Sequence, residues 1–240
     1  MAAAGRILAR CHQLLERKAR AGVTTAELDE AAEKFIRSHG AEPAFKGYRG
    51  FPGSICASPN SMVVHGIPGD YRVEEGDVVS VDVGVTLNGF VADSAYTFAV
   101  GDVDDGTQRL LDVGQAALEA GIAHARADRH IGDISAAVQR TTEDAGFSVV
   151  KSLVGHGIGR SMHEEPQIPN WGEPGRGPLL APGMTLAIEP MINAGGPDVV
   201  VAADRWSIST ADGALSAHFE HTVAVTEAEP RILTLAGVPV

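Results

Sequence analysis

The chain has 240 residues, of which 44% are hydrophobic and 21% are charged. This composition excludes a disordered or fibrous protein and predicts a globular fold with a substantial core. The net charge of -12 disfavours direct binding to nucleic acid or to an anionic membrane, because both require clustered lysine and arginine. No apolar run approaches the roughly 20 residues that cross a bilayer, so we expect a cytoplasmic protein. Cys11 and Cys56 are expected to be free thiols, since a core of this size needs no disulfide.

Four segments have the apolar spacing of amphipathic helices. The Thr24 and Glu27 pair has the pattern of a capping box at the start of the second helix. Asp133 is expected to be the N-cap of the fourth helix, which Gly146 would end. The predicted helices span residues 5–19, 24–36, 107–125 and 133–145.

Residues 77–100 predict an antiparallel hairpin, because apolar residues alternate on each side of Asn88 and Gly89. With that turn, Asp82 and Asp93 fall on the same face as diagonal neighbours, roughly 7 to 8 Å apart between backbones. Two acids on a buried face repel each other and lose their hydration unless a cation compensates them. The alternative is that this face is exposed and both acids are simply solvated.

Two patterns recur at nearly the same offset, which indicates an internal duplication. A glycine lies six residues before Asp82 and another lies six residues before Glu189, at an offset of 107. The helical segments 28–40 and 134–146 repeat at an offset of 106. Chance similarity between two short patterns is the alternative. We predict a single α+β domain over residues 1–240, with pseudo-symmetric halves at about 24–100 and 130–226.

More acids and a histidine complete a candidate metal site. Glu189 matches Asp82 in the duplication, Glu220 lies in a strand predicted over residues 214–226, and His163 follows a glycine-rich segment. Four carboxylates and one imidazole suit two divalent ions such as Mn, Fe, Co or Zn, and two dications balance four acids. Each residue taken alone is as readily explained as a hydrogen-bonded loop residue, so the prediction depends on the combination.

Five motifs follow one another along the chain in the order and spacing of a known family. With them, the chain resembles the type I methionine aminopeptidases of metallopeptidase family M24 from about residue 5 to residue 235. The resemblance implies the pita-bread fold, in which two pseudo-symmetric halves surround a central antiparallel sheet and the helices lie outside. The motifs are VVHGIP (63–68), VDVGVTLNGFVADSAYTF (81–98), GHGIGRSMHEEPQ (155–167), PGMTLAIEPMIN (182–193) and HFEHTVAVT (218–226).

The resemblance also assigns roles to individual residues. It implies that His156 lies near the scissile carbonyl and that His65 lies near the leaving-group nitrogen. For Phe45 and Phe51, a plain role in the core is the alternative. The implied metal ligands, all present, are Asp82, Asp93, His163, Glu189 and Glu220. The implied catalytic residues are His65, His156 and Glu189. The implied substrate-binding residues are His65, Phe45, Tyr48, Phe51, Cys56, Met162, His163 and Trp206.

The function implied by the resemblance is removal of the initiator methionine from nascent proteins and peptides with a small second residue. The reaction would be hydrolysis at two divalent ions (Co, Mn, Fe or Zn), whose identity the ligands do not decide. We expect a monomer that meets nascent chains transiently at the ribosome and binds neither nucleic acid nor membrane. Two alternatives share the fold. Proline-directed aminopeptidases and dipeptidases usually carry an extra N-terminal domain, for which this chain has no room, and non-catalytic binding proteins generally lack the metal ligands.

Overall fold

The computed structural model describes residues 1–237. Among these residues, no helix combines the length and the apolar character that a membrane span requires. The helices are α1 (Ala2–Lys18), α2 (Thr25–Ser38), α3 (Asp105–Ala123) and α4 (Ile131–Asp144). The strands are β1 (Glu42–Pro43), β2 (Ile55–Pro59), β3 (Met62–Val64), β4 (Val78–Leu87), β5 (Phe90–Ala99), β6 (Ser148–Val149), β7 (Val154–Gly157), β8 (Glu164–Pro169), β9 (Thr185–Ile188), β10 (Met191–Asn193), β11 (Val199–Val201), β12 (Ile208–Thr210), β13 (Ser216–His218), β14 (His221–Ala224) and β15 (Arg231–Ile232).

All four predicted helices are present, each beginning within three residues of its predicted start, and the N-cap of one was misassigned. The capping box of α2 is confirmed, because Glu27 N donates to Thr24 Oγ1 at 3.2 Å and Thr24 N donates to Glu27 Oε2 at 2.7 Å. The N-cap of α4 is His130 rather than Asp133. Asp133 is instead the third helical residue, and its Oδ2 accepts a hydrogen bond from His130 N at 2.7 Å. An acid gives a similar sequence signal at either position, which explains the error.

The β4–β5 hairpin has the predicted register, with Asp82 opposite Ala95. Asn88 and Gly89 form the turn with φ of 52° and 75°, as a two-residue turn with positive φ at both positions requires. The opposite face of β4 packs into a core with α1 and α2, through Val79, Val81, Val83 and Val85. Because side chains alternate along a strand, this core leaves Asp82 on the inner face of the molecule.

Antiparallel sheets form the interior and helices cover them, in agreement with the expected architecture. Among residues 1–237, one large sheet joins β1 and β2 to β4, which also pairs with β5, and a second has the order β15-β14-β9-β7-β8. Two small sheets have the orders β13-β10-β6 and β11-β12-β3. Helices α1 and α2 pack on the first large sheet, whereas α3 and α4 pack against strands of the second half.

Side-chain hydroxyl groups join the two large sheets. Thr222 Oγ1 on β14 accepts a hydrogen bond from Asp93 N at 2.9 Å and donates one to Asp93 O at 2.7 Å. Ser94 Oγ donates to Glu220 O at 2.8 Å, and Glu220 N donates to Ala95 O at 2.9 Å. These bonds connect residues more than 120 positions apart. They place Asp93 and Glu220 side by side.

The Thr222→Val variant is expected to lower the free energy of unfolding by about 1 to 3 kcal/mol, because it leaves the buried backbone groups of Asp93 without a side-chain partner. Denaturant titration of the metal-free protein measures this change. Thr86→Val is the matched control, since Thr86 lies in β4 outside the junction, and it should stay within about 0.5 kcal/mol of the parent chain. Equal losses in the two variants would contradict a specific role for the junction.

We propose that the chain is one domain built from two related halves. Matched local geometry supports the duplication. Gly76 and Gly183 have φ of 89° and 94°, and each opens a strand two residues later. Each also donates its N–H across its sheet, from Gly76 to Val100 O at 2.8 Å and from Gly183 to Val225 O at 3.0 Å.

Candidate active site and metal centre

One cavity collects the residues that the sequence singled out. It also includes Arg49, which the sequence gave no reason to select. Its apolar lining residues Phe45, Phe51, Cys56 and Met162 are buried. The lining residues are Phe45, Tyr48, Arg49, Phe51, Cys56, His65, Asp82, Asp93, His156, Met162, His163, Glu189, Trp206 and Glu220.

Strands from both halves deliver the acids and His156. Asp82 lies in β4 and Asp93 in β5, while His156 lies in β7 of the second large sheet. Glu189 directly follows β9, and Glu220 lies between β13 and β14. The cavity is therefore formed where the two large sheets meet.

The continuous strand predicted over residues 214–226 is wrong. It is two strands in different sheets, interrupted at Phe219 and Glu220. Phe219 N donates to Pro190 O at 3.2 Å, and Pro190 itself follows Glu189 at the matching break between β9 and β10. An alternating pattern does not reveal a change of sheet, because the period of two continues across the break. Both glutamates thus lie at strand ends facing the cavity.

The acids form a buried cluster whose donor atoms suit a cation. Asp93 and Glu220 are only 4% and 2% exposed. Asp82 Oδ1, Asp93 Oδ1 and Glu220 Oε1 are buried without a hydrogen-bond partner among the described residues. Burial raises the pKa of Asp93 to about 7. Burial, followed by repulsion from neighbouring carboxylates, raises the pKa of Asp82, Glu189 and Glu220 well above the usual range. Solvation of Asp82 and Asp93 as isolated surface acids is therefore excluded.

His163 is oriented by Tyr48. Tyr48 Oη lies 2.8 Å from His163 Nδ1, and the two rings stack with centroids 5.5 Å apart. A partner on one ring nitrogen selects the tautomer and leaves the other, Nε2, free to bind an ion. Burial, followed by the charge of Arg49, lowers the pKa of His163, which favours the neutral form that a ligand requires.

His156 has a geometry that the sequence did not predict. Its Nδ1 lies 2.9 Å from Gly157 O and donates to that carbonyl, so Nε2 carries a lone pair in the neutral ring. Burial lowers the pKa of His156 to about 4. One ligand atom each from Asp93, His156 and Glu220 lies within 4.8 Å of the other two. This spacing also suits His156 as a metal ligand, in addition to the oxyanion role that the resemblance implies.

Comparison with known proteins shows the family of the chain that forms this cavity. The model of metallopeptidase family M24 matches residues 1–227. The methionine aminopeptidase of Clostridium perfringens (strain 13 / Type A) is 51% identical, over 98% of this chain and 94% of that protein. The chain belongs to metallopeptidase family M24.

Two further comparisons extend this result. Methionine aminopeptidase 1 of Bacillus subtilis (strain 168) is 49% identical to this M24 metallopeptidase, over 98% of the chain and 94% of that protein. The crystal structure of methionine aminopeptidase from Rickettsia prowazekii superposes with a TM-score of 0.97 at 42% identity, covering 98% of this chain and 95% of that one. The pita-bread fold and the use of divalent metal expected from the motifs are therefore confirmed.

His218 is a site neighbour that the sequence analysis missed. This buried side chain of the M24 metallopeptidase places Nε2 3.7 Å from Glu189 Oε2, while His156 Nε2 lies 3.6 Å from Glu189 Oε1. Burial lowers the pKa of His218 to about 3, so the ring is neutral. One feature of the sequence could have indicated His218 as a site residue. It lies two residues before Glu220, and residues two apart in a strand share a face.

Apolar side chains form the other wall of the cavity in this M24 metallopeptidase. Phe51 and Trp206 meet edge to face with ring centroids 5.1 Å apart. Phe45 and Met162 pack over Gly84, where an added Cβ would lie 2.7 Å from the Phe45 ring. Gly84 pairs with Asp93 in the hairpin, so the apolar wall begins beside the acids. Cys11 and Cys56 are buried free thiols, as expected.

Divalent metal is expected to bind this M24 metallopeptidase more tightly as the pH rises from 6 to 8. At low pH the cluster holds protons, because burial raises the pKa of Asp93 to about 7 and also raises the pKa of the other acids well above the usual range. An ion must displace these protons, so each proton released changes the affinity by about tenfold per pH unit. Calorimetric titration with Mn²⁺ at three pH values, in buffers of different ionisation heat, measures the effect. A dissociation constant that does not change with pH would contradict it.

Proposed function

We propose that this chain removes the N-terminal methionine from nascent proteins and peptides, preferring a small second residue. One observation carries the proposal: a cluster of buried, unpaired carboxylates adjoins an apolar and aromatic wall in a single cavity. The carboxylate cluster suits a metal ion that promotes peptide hydrolysis. The apolar and aromatic wall suits the thioether side chain of methionine. Identity of 51% over nearly the whole chain to a protein named methionine aminopeptidase supports the same activity.

The metal ligands that we propose all line one cavity. The unpaired oxygens of Asp82, Asp93 and Glu220 fit this assignment, since a buried carboxylate oxygen without a partner is costly. Two divalent ions bound there would acidify a water molecule and polarise the scissile carbonyl. Co, Mn, Fe and Zn all suit the donor atoms. The proposed ligands are Asp82, Asp93, His163, Glu189 and Glu220.

Glu189 is the proposed proton carrier. Its carboxylate takes the proton of the attacking water and gives it to the departing amine. The Nε2 atoms of His156 and His218 lie 3.6 and 3.7 Å from the two oxygens of this carboxylate. Both rings have lowered pKa values, so they stay neutral and leave the proton to Glu189.

His156 and His65 act on the substrate itself in this proposal. His156 stabilises the oxyanion that forms at the scissile carbonyl. Because the neutral ring donates from Nδ1 to Gly157 O, this role requires His156 to give up that hydrogen bond and carry its single proton on Nε2 instead. His65 lines the same cavity in a left-handed backbone conformation, with φ of 59°, and steadies the substrate near the leaving nitrogen.

The methionine side chain would occupy the apolar wall, and the second residue would lie against the acids. Sulfur gains from contact with aromatic ring edges, which Phe51 and Trp206 offer. A bulky second residue would collide with the imidazole groups around the acids, so a small one is preferred. The other residues proposed to bind substrate are Phe45, Tyr48, Cys56, His65, Met162 and His163.

The cellular setting is also a proposal. We infer a monomer in the cytoplasm that meets nascent chains transiently at the ribosome. The net charge of -12 supports the absence of direct binding to nucleic acid or membrane.

Methionine release from the peptide Met-Ala-Ser tests the proposed function. Cleavage of this peptide is expected to be at least about tenfold faster than cleavage of Leu-Ala-Ser or Met-Trp-Ser, since pocket misfits of this kind cost about 10- to 200-fold. A chelator should abolish release, and added Co²⁺ or Mn²⁺ should restore it. Release that survives chelation, or that ignores the first residue, would contradict the proposal.

A further inference from the structure

Arg49 lines the cavity in an unusual backbone conformation. It lies in a 3₁₀ turn, Tyr48–Gly50, and its φ of 49° is in the left-handed region that side chains other than Gly, Asn and Asp rarely adopt. Backbone bonds from Gly47 N to Phe51 O (2.8 Å) and from Phe51 N to Tyr48 O (2.9 Å) hold this loop. A disfavoured conformation held in place at a cavity rim points to a role in binding.

The guanidinium of Arg49 is exposed and forms no ion pair with a carboxylate of residues 1–237. Its Cζ lies 5.3 Å from the centroid of the Tyr48 ring. No ion pair of the described residues includes Arg49, although the chain carries a net charge of -12. The nearby Lys46, in contrast, pairs with Glu33 at 2.5 Å. Arg49 therefore offers an uncompensated positive charge at the rim of an otherwise acidic and aromatic cavity.

Tyr48 links Arg49 to His163. The centroid of the Tyr48 ring lies 5.3 Å from the Arg49 Cζ and 5.5 Å from the centroid of the His163 ring, and the Tyr48 hydroxyl lies 2.8 Å from His163 Nδ1. An extended peptide advances roughly 3.3 Å per residue. With methionine in the pocket and a small second residue beside the acids, the third residue is the next one left to meet an exposed guanidinium that lines the same cavity.

We propose that Arg49 is a specificity residue that binds an acidic side chain at the third position of the substrate peptide. This inference rests on the proposed function and names a substrate class within it. A guanidinium presents paired N–H donors that match the two oxygens of a carboxylate. Stacking on Tyr48 restricts the guanidinium and so reduces the entropy that it loses on binding.

Steady-state kinetics on the peptides Met-Ala-Asp-Ala and Met-Ala-Asn-Ala test this proposal. The parent protein is expected to show a KM about 2- to 5-fold lower for the aspartate peptide, the range of an exposed ion pair. The difference should shrink as salt rises, since charges are screened over about 10 Å at 0.1 M ionic strength. Arg49→Gln should remove the preference, Arg49→Lys should keep part of it, and Arg49→Glu should favour Met-Ala-Lys-Ala instead.

Arg10→Gln is the matched control. Arg10 is also an exposed arginine stacked on a ring, 5.8 Å from the centroid of Phe35, and it lies on α1 away from the cavity. This variant changes the net charge equally and should keep the preference for aspartate. A parent protein that does not distinguish the two peptides, or an equal loss in Arg10→Gln and Arg49→Gln, would overturn the role of Arg49. Failure to cleave any methionine peptide would instead overturn the proposed function, and this inference with it.

Discussion

Replacing His163 with alanine is expected to abolish methionine release and to lower metal affinity by more than about 100-fold. Loss of a partner that merely orients a ligand already costs about 10- to 100-fold, and loss of a ligand costs more. Tyr48 leaves His163 Nε2 free for this purpose. The metal content after dialysis, measured by atomic spectrometry, and the rate of release from Met-Ala-Ser provide the two readouts.

His156→Ala is the informative counterpart. If His156 stabilises the oxyanion, this variant retains its metal and loses about 10²- to 10³-fold in kcat. The structure makes the comparison necessary, because a ligand atom of His156 lies within 4.8 Å of those of Asp93 and Glu220. Loss of metal from His156→Ala and retention by His163→Ala would reverse the assignment of the nitrogen ligand.

The Glu189→Gln variant is expected to lower kcat by about 10²- to 10⁴-fold, the range for removal of a general base. The amide has nearly the same shape, but it cannot take up the proton of the attacking water. Rates must be measured at saturating metal, because Glu189 is also a proposed ligand. The pH profile provides a second readout, since the limb that reports ionisation of Glu189 should disappear.

Glu173→Gln is the control for this experiment. This variant also removes one carboxylate. Because the side chain of Glu173 is 81% exposed, the variant should leave kcat within about twofold of the parent value. A Glu189→Gln variant that retains kcat within a factor of about five at saturating metal would contradict the role of Glu189 as proton carrier.

The hairpin and the helices follow from local patterns. Asn88 and Gly89 determine the turn, the turn determines the register, and the period of two then puts Asp82 and Asp93 on one face. The amphipathic spacing was likewise sufficient to predict the helices. The exception is the N-cap of α4, because an acid can serve either as the N-cap or as the third residue of a helix.

The remainder of the cluster was predicted less directly. His163 and Glu220 have no local pattern that marks them as ligands, so the sequence indicated them only in combination with the other acids, and the family resemblance then implied their roles. Arg49 and His218 escaped both approaches. Arg49 is notable for its backbone conformation, and His218 for its distance from Glu189, and neither property can be read from residue types.

Local physical chemistry in the sequence determined the secondary structure, the register of one hairpin and the presence of enough acids for two dications. Only the tertiary structure decided that β5 joins β13 and β14 through hydroxyl groups, that Glu189 and Glu220 follow the ends of β9 and β13, and that these acids line one cavity. The reason is separation along the chain. Hydrogen bonds between residues more than 120 positions apart form only when the two halves pack, and burial is a property of that packing rather than of any single segment.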